Sequence, residues 1–203
     1  MARELVLLIA TYLVASIPFG LIVGKMWGSV DVRRVGSGNI GTSNVMRAVG
    51  KGAAAVVLVL DVCKGAVPVW IAHRLGFSEG AVAAVCVAAV AGHVWSIFLR
   101  FNGGKGVATA LGVMLGVDVW VALSLIAVWL VVLVLTRYIS VASLLAALWL
   151  PVALWLFTQT WVYVGAGCAI SALAIWRHRG NVQRLLAGTE YRFGERVGRA
   201  ERG

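Results

Sequence analysis

The sequence predicts an all-α integral membrane protein with seven transmembrane helices, the fourth short, an outside N-terminus and a cytoplasmic C-terminus. Three observations predict it. First, 61% of the 203 residues are hydrophobic and only 13% are charged, against about 45–50% and about 25% in soluble domains. Second, the apolar residues fall in runs near the roughly 20 that a spanning helix needs. Third, 18 Lys and Arg face 8 Asp and Glu, a formal charge of +10, and the basic residues are concentrated between alternate runs. This composition excludes disorder, a fibrous protein and an ordinary cytosolic enzyme, and it offers nucleic acid no binding module.

Spans are predicted at 5–24, 53–73, 80–99, 140–158 and 161–176. The first reads as a retained span and not a cleaved leader. Its start holds both Arg3 and Glu4, and its apolar run continues past Val14-Ala15-Ser16 toward Gly24. The stretch 106–136 is too long for one straight span, so it is either a span with an apolar overhang or a hairpin turning near Gly116 to Asp118. Short cytoplasmic loops carry excess Lys and Arg, and that decides between the two. Basic clusters stand at 25–51, at Arg100 and Lys105, at Arg137, and from Arg177 onward. Only the hairpin puts all four on one side, leaving Arg3, Lys64 and Arg74 elsewhere. The chain is thus read as a single polytopic domain, 1–203, with inner loops 25–52 and 100–106 and a basic tail 177–203. Trp27, Trp70, Trp95, Trp120, Trp161 and Trp176 lie near span ends, as interfacial residues do. Cys63, Cys86 and Cys168 sit in apolar runs and read as packing residues without a disulfide.

Any chemistry must then reside in loops and helix ends. Residues 35–51 read VGSGNIGTSNVMRAVGK. Gly36, Gly38 and Gly41 alternate with Ser37, Asn39, Thr42, Ser43 and Asn44, and Arg47 and Lys51 follow. Glycines let backbone N–H groups approach a ligand, successive N–H groups make anion nests, and Arg offers a bidentate fork to phosphate. The same loop also reads as a polar connector whose basic residues only set topology. In FNGGKGVATALG, residues 101–112, Gly103, Gly104 and Gly106 surround Lys105 just before a predicted helix, an arrangement suited to phosphate. It satisfies neither the Walker A nor the dinucleotide pattern. The tail adds His178, Arg179, Asn181, Arg184 and Glu190. A lipid-binding patch would need the arginines but not the His, Asn and Glu.

Inside the spans, His93 lies within reach of the inner loop end, and reads either as a hydrogen-bonded structural residue or as a functional one. Asp61 and Lys64, three apart, share a helix face and read as an ion pair tying helices together. Ser143 reads as a packing serine. There is no H-E-x-x-H, no carboxylate cluster for metal ions, no acidic alcohol-phosphatidyltransferase signature and no H-x-x-x-x-D acyltransferase motif.

Five segments together resemble the bacterial acyl-phosphate:glycerol-3-phosphate acyltransferase family, PlsY. They are SIPFG at 16–20, GSGNIGTSNVMR at 36–47, LDVCKG at 60–65, GHVWSIFLRFNGGKGVAT at 92–109 and HRGNVQRLLAGTE at 178–190. They follow the family's order from residue 16 to 190. One departure is Gly41-Thr42-Ser43-Asn44 where the family usually reads G-A-T-N. The resemblance implies a seven-span inner-membrane protein with its site open to the cytoplasm and no metal or organic cofactor. It implies transfer of a fatty acyl group from acyl-phosphate to the 1-hydroxyl of glycerol 3-phosphate, giving lysophosphatidic acid and phosphate, with membrane lipids around it and a functional link to the enzyme that makes acyl-phosphate. By that resemblance Ser37, Arg47, Lys105, His178 and Asn181 form the site, with His93 as a further catalytic candidate. Arg47 and Lys105 would clamp phosphate. Gly38, Asn39, Thr42, Ser43, Asn44, Gly103, Gly104, Gly106, Arg179 and Arg184 would add phosphate contacts. Asp61, Lys64, Ser143 and Glu190 would support them. The proton of the attacking hydroxyl would go to the substrate phosphate, or to His93 or His178. The alternative is a transporter of phosphorylated small molecules, which the lack of inverted repeats and paired broken segments disfavours.

Overall fold

The computed structural model describes residues 1–195, and Arg196, Arg199 and Arg202 of the basic tail lie outside the described residues. The described chain is all helical: α1 (Ala2–Ala15), α2 (Phe19–Gly28), α3 (Thr42–Ala48), α4 (Lys51–Arg74), α5 (Glu79–Val94), α6 (Val107–Val117), α7 (Val119–Thr136), α8 (Ile139–Thr158), α9 (Trp161–Arg177) and α10 (Arg179–Leu186). Five helical stretches are long and apolar enough to cross a membrane: 2–28, 51–74, 79–99, 119–136 and 139–158. Val107–Val117 and Trp161–Arg177 are shorter apolar helices.

Two expected spans differ in detail. The first is broken at Ser16-Ile17-Pro18, where Pro18 has no N–H to continue the ladder and α2 restarts with Pro18 as its N-cap. The third ends at Val94, not 99. Trp95 leaves helical geometry, and a short 3-10 turn at Ile97–Leu99 follows. The hairpin turn falls at Asp118, whose extended backbone ends α6 while its carboxylate accepts from the N–H groups of Trp120 and Val121 to start α7. That is an N-cap replacing the donors' missing helical partners. Pro68 and Pro151 lie inside α4 and α8 without ending them, as apolar spanning helices tolerate.

Helices in an apolar solvent associate through close backbone packing at small residues. Gly65 of α4 faces the Thr109 carbonyl of α6, and Gly112 of α6 faces the Val62 carbonyl of α4, so a Cβ at either would collide with backbone. Gly92 of α5 likewise lies against Tyr12 of α1. The main apolar core joins α1, α4–α9 through residues such as Val69, Val85, Met114, Leu154 and Ile170, and a second cluster packs α2–α4 around Val32, Val45 and Val57. Side chains such as Val59, Val134, Leu135 and Leu148 are exposed on the outside of the bundle, where hydrocarbon would meet them.

The basic segments meet at one end. Arg177 donates to the carbonyls of Gly103 and Gly104 at 2.6 and 3.0 Å. The Arg47 guanidinium lies over the Tyr191 ring at 4.6 Å. The Phe193 N–H donates to the Arg137 carbonyl at 2.7 Å. Leu75, at the far end of α4, lies beside Ala2, Arg3 and Val6 of α1.

Candidate active site

A cavity of about 500 Å³ opens where those basic segments converge. Its polar wall includes Ser37, Asn39, Thr42, Ser43, Arg47, Lys105, His178 and Asn181. The rest is apolar and runs between helices past Leu111, Leu125, Trp129, Ala146, Leu150 and Ile170.

Each polar residue is placed by local structure. Asp31 caps the 3-10 turn at Val32–Arg34, and the Arg33 guanidinium bonded to it holds its carboxyl down at about 2. Asn39 accepts from the Gly41 N–H at 2.8 Å, an Asx turn leading into α3. Arg47, in the last turn of α3, is buried, and burial lowers its pKa while the Glu190 charge partly opposes that. Among the described residues its guanidinium forms no hydrogen bond. Lys105 is held in the turn before α6, and desolvation lowers its ammonium to about 8, with Glu190 opposing and Arg184, Arg47 and Arg177 adding to the shift.

Gly106 takes a left-handed conformation, φ +80°, and α6 starts directly after it without a side-chain cap. Gly106, Val107 and Ala108 line the cavity. A helix N-terminus with free N–H groups therefore faces the polar end, the arrangement that favours anions. At the other side, His178 ends α9 and precedes α10. Its Nδ1 lies 2.7 Å from the Ala174 carbonyl. A carbonyl only accepts, so Nδ1 carries the proton and Nε2 keeps a lone pair. Burial, and then the Lys105 charge, push its pKa down to about 4. Asn181 donates to Glu190 Oε1 at 2.6 Å, and Glu190 Oε2 accepts from Arg184 Nε at 2.7 Å.

The fold gives several of the expected phosphate contacts other partners. The Gly103 and Gly104 N–H groups donate to the Val94 and His93 carbonyls, both at 3.0 Å, so neither is offered to an anion. These glycines serve close packing instead, since a Cβ at Gly104 would strike the His93 ring. Asn44 is committed to the loop: its amide donates to the Val32 and Val35 carbonyls at 2.7 and 3.0 Å and its oxygen accepts from the Ser37 N–H at 3.0 Å. Arg184 is bound to Glu190 and Arg179 is exposed over Trp176; neither they nor Gly38 reach the cavity wall. Asp61 and Lys64 do pair, at 2.8 Å, and Lys64 also donates to the Ile17 carbonyl at 3.1 Å, at the break between α1 and α2. His93 Nδ1 is 3.7 Å from the same carboxylate. Asp61 and His93 border the cavity, as does Ser143, whose hydroxyl donates to the Ile139 carbonyl and accepts from Trp129 Nε1. Sequence reasoning did not single out Ser140, a buried cavity-wall hydroxyl without a partner, or Phe193 at the mouth. Nothing in their local sequence distinguishes them. Among the described residues no group of three His, Cys, Asp or Glu is placed to hold a metal ion.

Fold and site define a class: a helical membrane protein whose cavity is cationic at one end and apolar along the rest. The family model described as glycerol-3-phosphate acyltransferase matches residues 5–188. A glycerol-3-phosphate acyltransferase of Rubrobacter xylanophilus is 47% identical over 195 residues, covering 96% of this chain and 98% of that protein. One of Aromatoleum aromaticum is 46% identical over 190 residues, covering 94% and 96%. The crystal structure of the integral membrane glycerol 3-phosphate acyltransferase PlsY (YgiH) in its glycerol 3-phosphate form superposes with a TM-score of 0.90 at 42% identity, covering 95% of this chain and 96% of that one. Its lysophosphatidic acid form gives 0.88 at 41%. The chain belongs to the glycerol-3-phosphate acyltransferase family.

Proposed function

We propose that this chain is a seven-span bacterial inner-membrane enzyme, N-terminus outside and site facing the cytoplasm, that moves a fatty acyl group from acyl-phosphate to the 1-hydroxyl of glycerol 3-phosphate. The observation that carries this reading is the single cavity with a cationic end and an apolar arm. The first suits phosphate groups and the second a fatty chain. Relatives solved with glycerol 3-phosphate and with lysophosphatidic acid support the same pair of ligands.

Arg47, Lys105 and the start of α6 hold the phosphates, and Ser37, Asn39, Thr42 and Ser43 add neutral contacts. Asn181 orients the substrates. The glycerol hydroxyl oxygen attacks the acyl carbonyl carbon, the new ester bond forms, and the carbon–oxygen bond to phosphate breaks. Phosphate leaves with that electron pair and takes the hydroxyl proton. His178 Nε2 is available to accept a hydrogen bond from the hydroxyl and aim it. Burial and the Lys105 charge make it a weak base, pushed down to about 4, whereas the departing phosphate gains anionic oxygens that take the proton. Holding two bound substrates in line supplies rate as effective molarity.

Purified protein in detergent, given acyl-phosphate and glycerol 3-phosphate and nothing else, is expected to release phosphate and form lysophosphatidic acid. Absence of both products, with proteoliposomes that move glycerol 3-phosphate, would replace the enzyme with a transporter.

A further inference from the structure

Arg47 is buried, bonds to no carboxylate among the described residues, and faces the cavity. The group behind it is the Tyr191 ring, 4.6 Å from the guanidinium carbon. Tyr191 itself does not border the cavity. A π-face attracts the cation without using its N–H groups, which point outward in the guanidinium plane. A carboxylate in that place would occupy the fork and neutralise it.

The ring is held by a short strap whose neighbours tie it to two other parts of the fold. Glu190 binds Asn181 and Arg184. Arg192 Nε donates to the Tyr138 hydroxyl at 3.3 Å. The Phe193 N–H donates to the Arg137 carbonyl at 2.7 Å, while the Phe193 side chain borders the cavity. The strap thus bridges α10 and the α7–α8 turn and presses one ring onto α3. The family match stops at residue 188, short of this segment.

We propose that Tyr191 is a positioning residue: its ring holds the Arg47 fork toward the cavity as a phosphate receptor, so that residues 190–193 complete the anion site. This rests on the reading that the cavity takes phosphorylated substrates.

The test uses full-length protein in detergent, with inorganic phosphate as the probe by calorimetry and steady-state kinetics alongside. Tyr191→Leu is expected to weaken phosphate binding about tenfold and to raise KM for glycerol 3-phosphate similarly, with kcat within about threefold. Tyr191→Phe keeps the ring and stays within about twofold of wild type. In an Arg47→Ala background, Tyr191→Leu adds nothing further, because the coupling partner is gone. Tyr191→Met, as long but without the ring, is read in parallel should the Leu variant not remain monodisperse. Unchanged phosphate affinity in the Leu or Met variant, or an equal loss with and without Arg47, overturns the proposal. A wild-type protein that binds phosphate in this pattern but forms no lysophosphatidic acid overturns the enzyme reading and leaves Tyr191 as assigned.

Discussion

Lys105 makes the site pH-sensitive from the alkaline side. Its ammonium is lowered to about 8, so in the free enzyme it loses its charge as pH rises past that value. We expect kcat/KM for glycerol 3-phosphate, which reports free-enzyme groups, to fall above about pH 8. Lys105→Arg, charged at every accessible pH, should remove the fall even if it lowers the plateau. The loss would not be unfolding. Between about 8 and the ordinary lysine value of 10.5 the unfolded chain binds a proton that the folded chain lacks, so this group makes folding more favourable as pH rises. His178 contributes in the opposite sense to a general base. His178→Ala should lower kcat by roughly 10²-fold through lost positioning and leave the shape of the pH profile between 6 and 8 unchanged. An added loss of a neutral titration would make it the base. That Lys105 and His178 share one cavity could be anticipated because a His and an Asn among glycines and basic residues are needed neither for topology nor for a lipid patch. The partners of Gly103, Gly104 and Asn44 could not be read in the sequence for a definite reason. Whether a backbone N–H or an amide is free depends on what the fold brings beside it, here the end of α5 for the glycines and the 32–35 turn for the asparagine.

At the scale of elements, the α4–α6 pair decides where the phosphate end sits, because α6 carries its N-terminus into the cavity and α4 carries Asp61. Their contact depends on Gly65 and Gly112 meeting opposing carbonyls. Gly112→Ala has only the Val62 backbone to push against, so we expect a loss of about 1–3 kcal/mol, as for overpacking elsewhere, seen as a lower Tm in detergent. Gly165→Ala, in α9 with open space around it, should be neutral or slightly stabilising, since it removes only helical glycine's cost. Equal effects would mean that the α4–α6 approach is not tight. The long apolar helices could be read from run length, and the turn near Asp118 from the placement of the basic clusters on either side of 106–136. The breaks after Ala15 and Val94 and the short helices α3 and α10 could not. Seven or eight residues carry little intrinsic helical stability and form here because Val45 and Asn181 are buried against the rest.

For the whole molecule, the charge distribution and the contacts agree on one end. Basic segments from four separate parts of the chain touch there, while Leu75 and the start of α1 lie together elsewhere. The decisive element is α6. Its 11 residues rise only about 16 Å, against a hydrocarbon core of about 30 Å, so its crossing depends on the glycine-rich entry before it and on burial against α4. If α6 and α9 cross as proposed, the Asp118 turn is outside and α10 is inside. In a background with Cys63, Cys86 and Cys168 replaced, an impermeant maleimide applied to intact cells should label Leu75→Cys and Val119→Cys. Gln183→Cys should react only after lysis. Labelling of Leu75→Cys but not Val119→Cys from outside would make α6 a re-entrant segment. Every later crossing would then reverse and set Arg177 across the bilayer from the Gly103 and Gly104 carbonyls that it binds, so the seven-span count and the assembly of the cationic end would fail together.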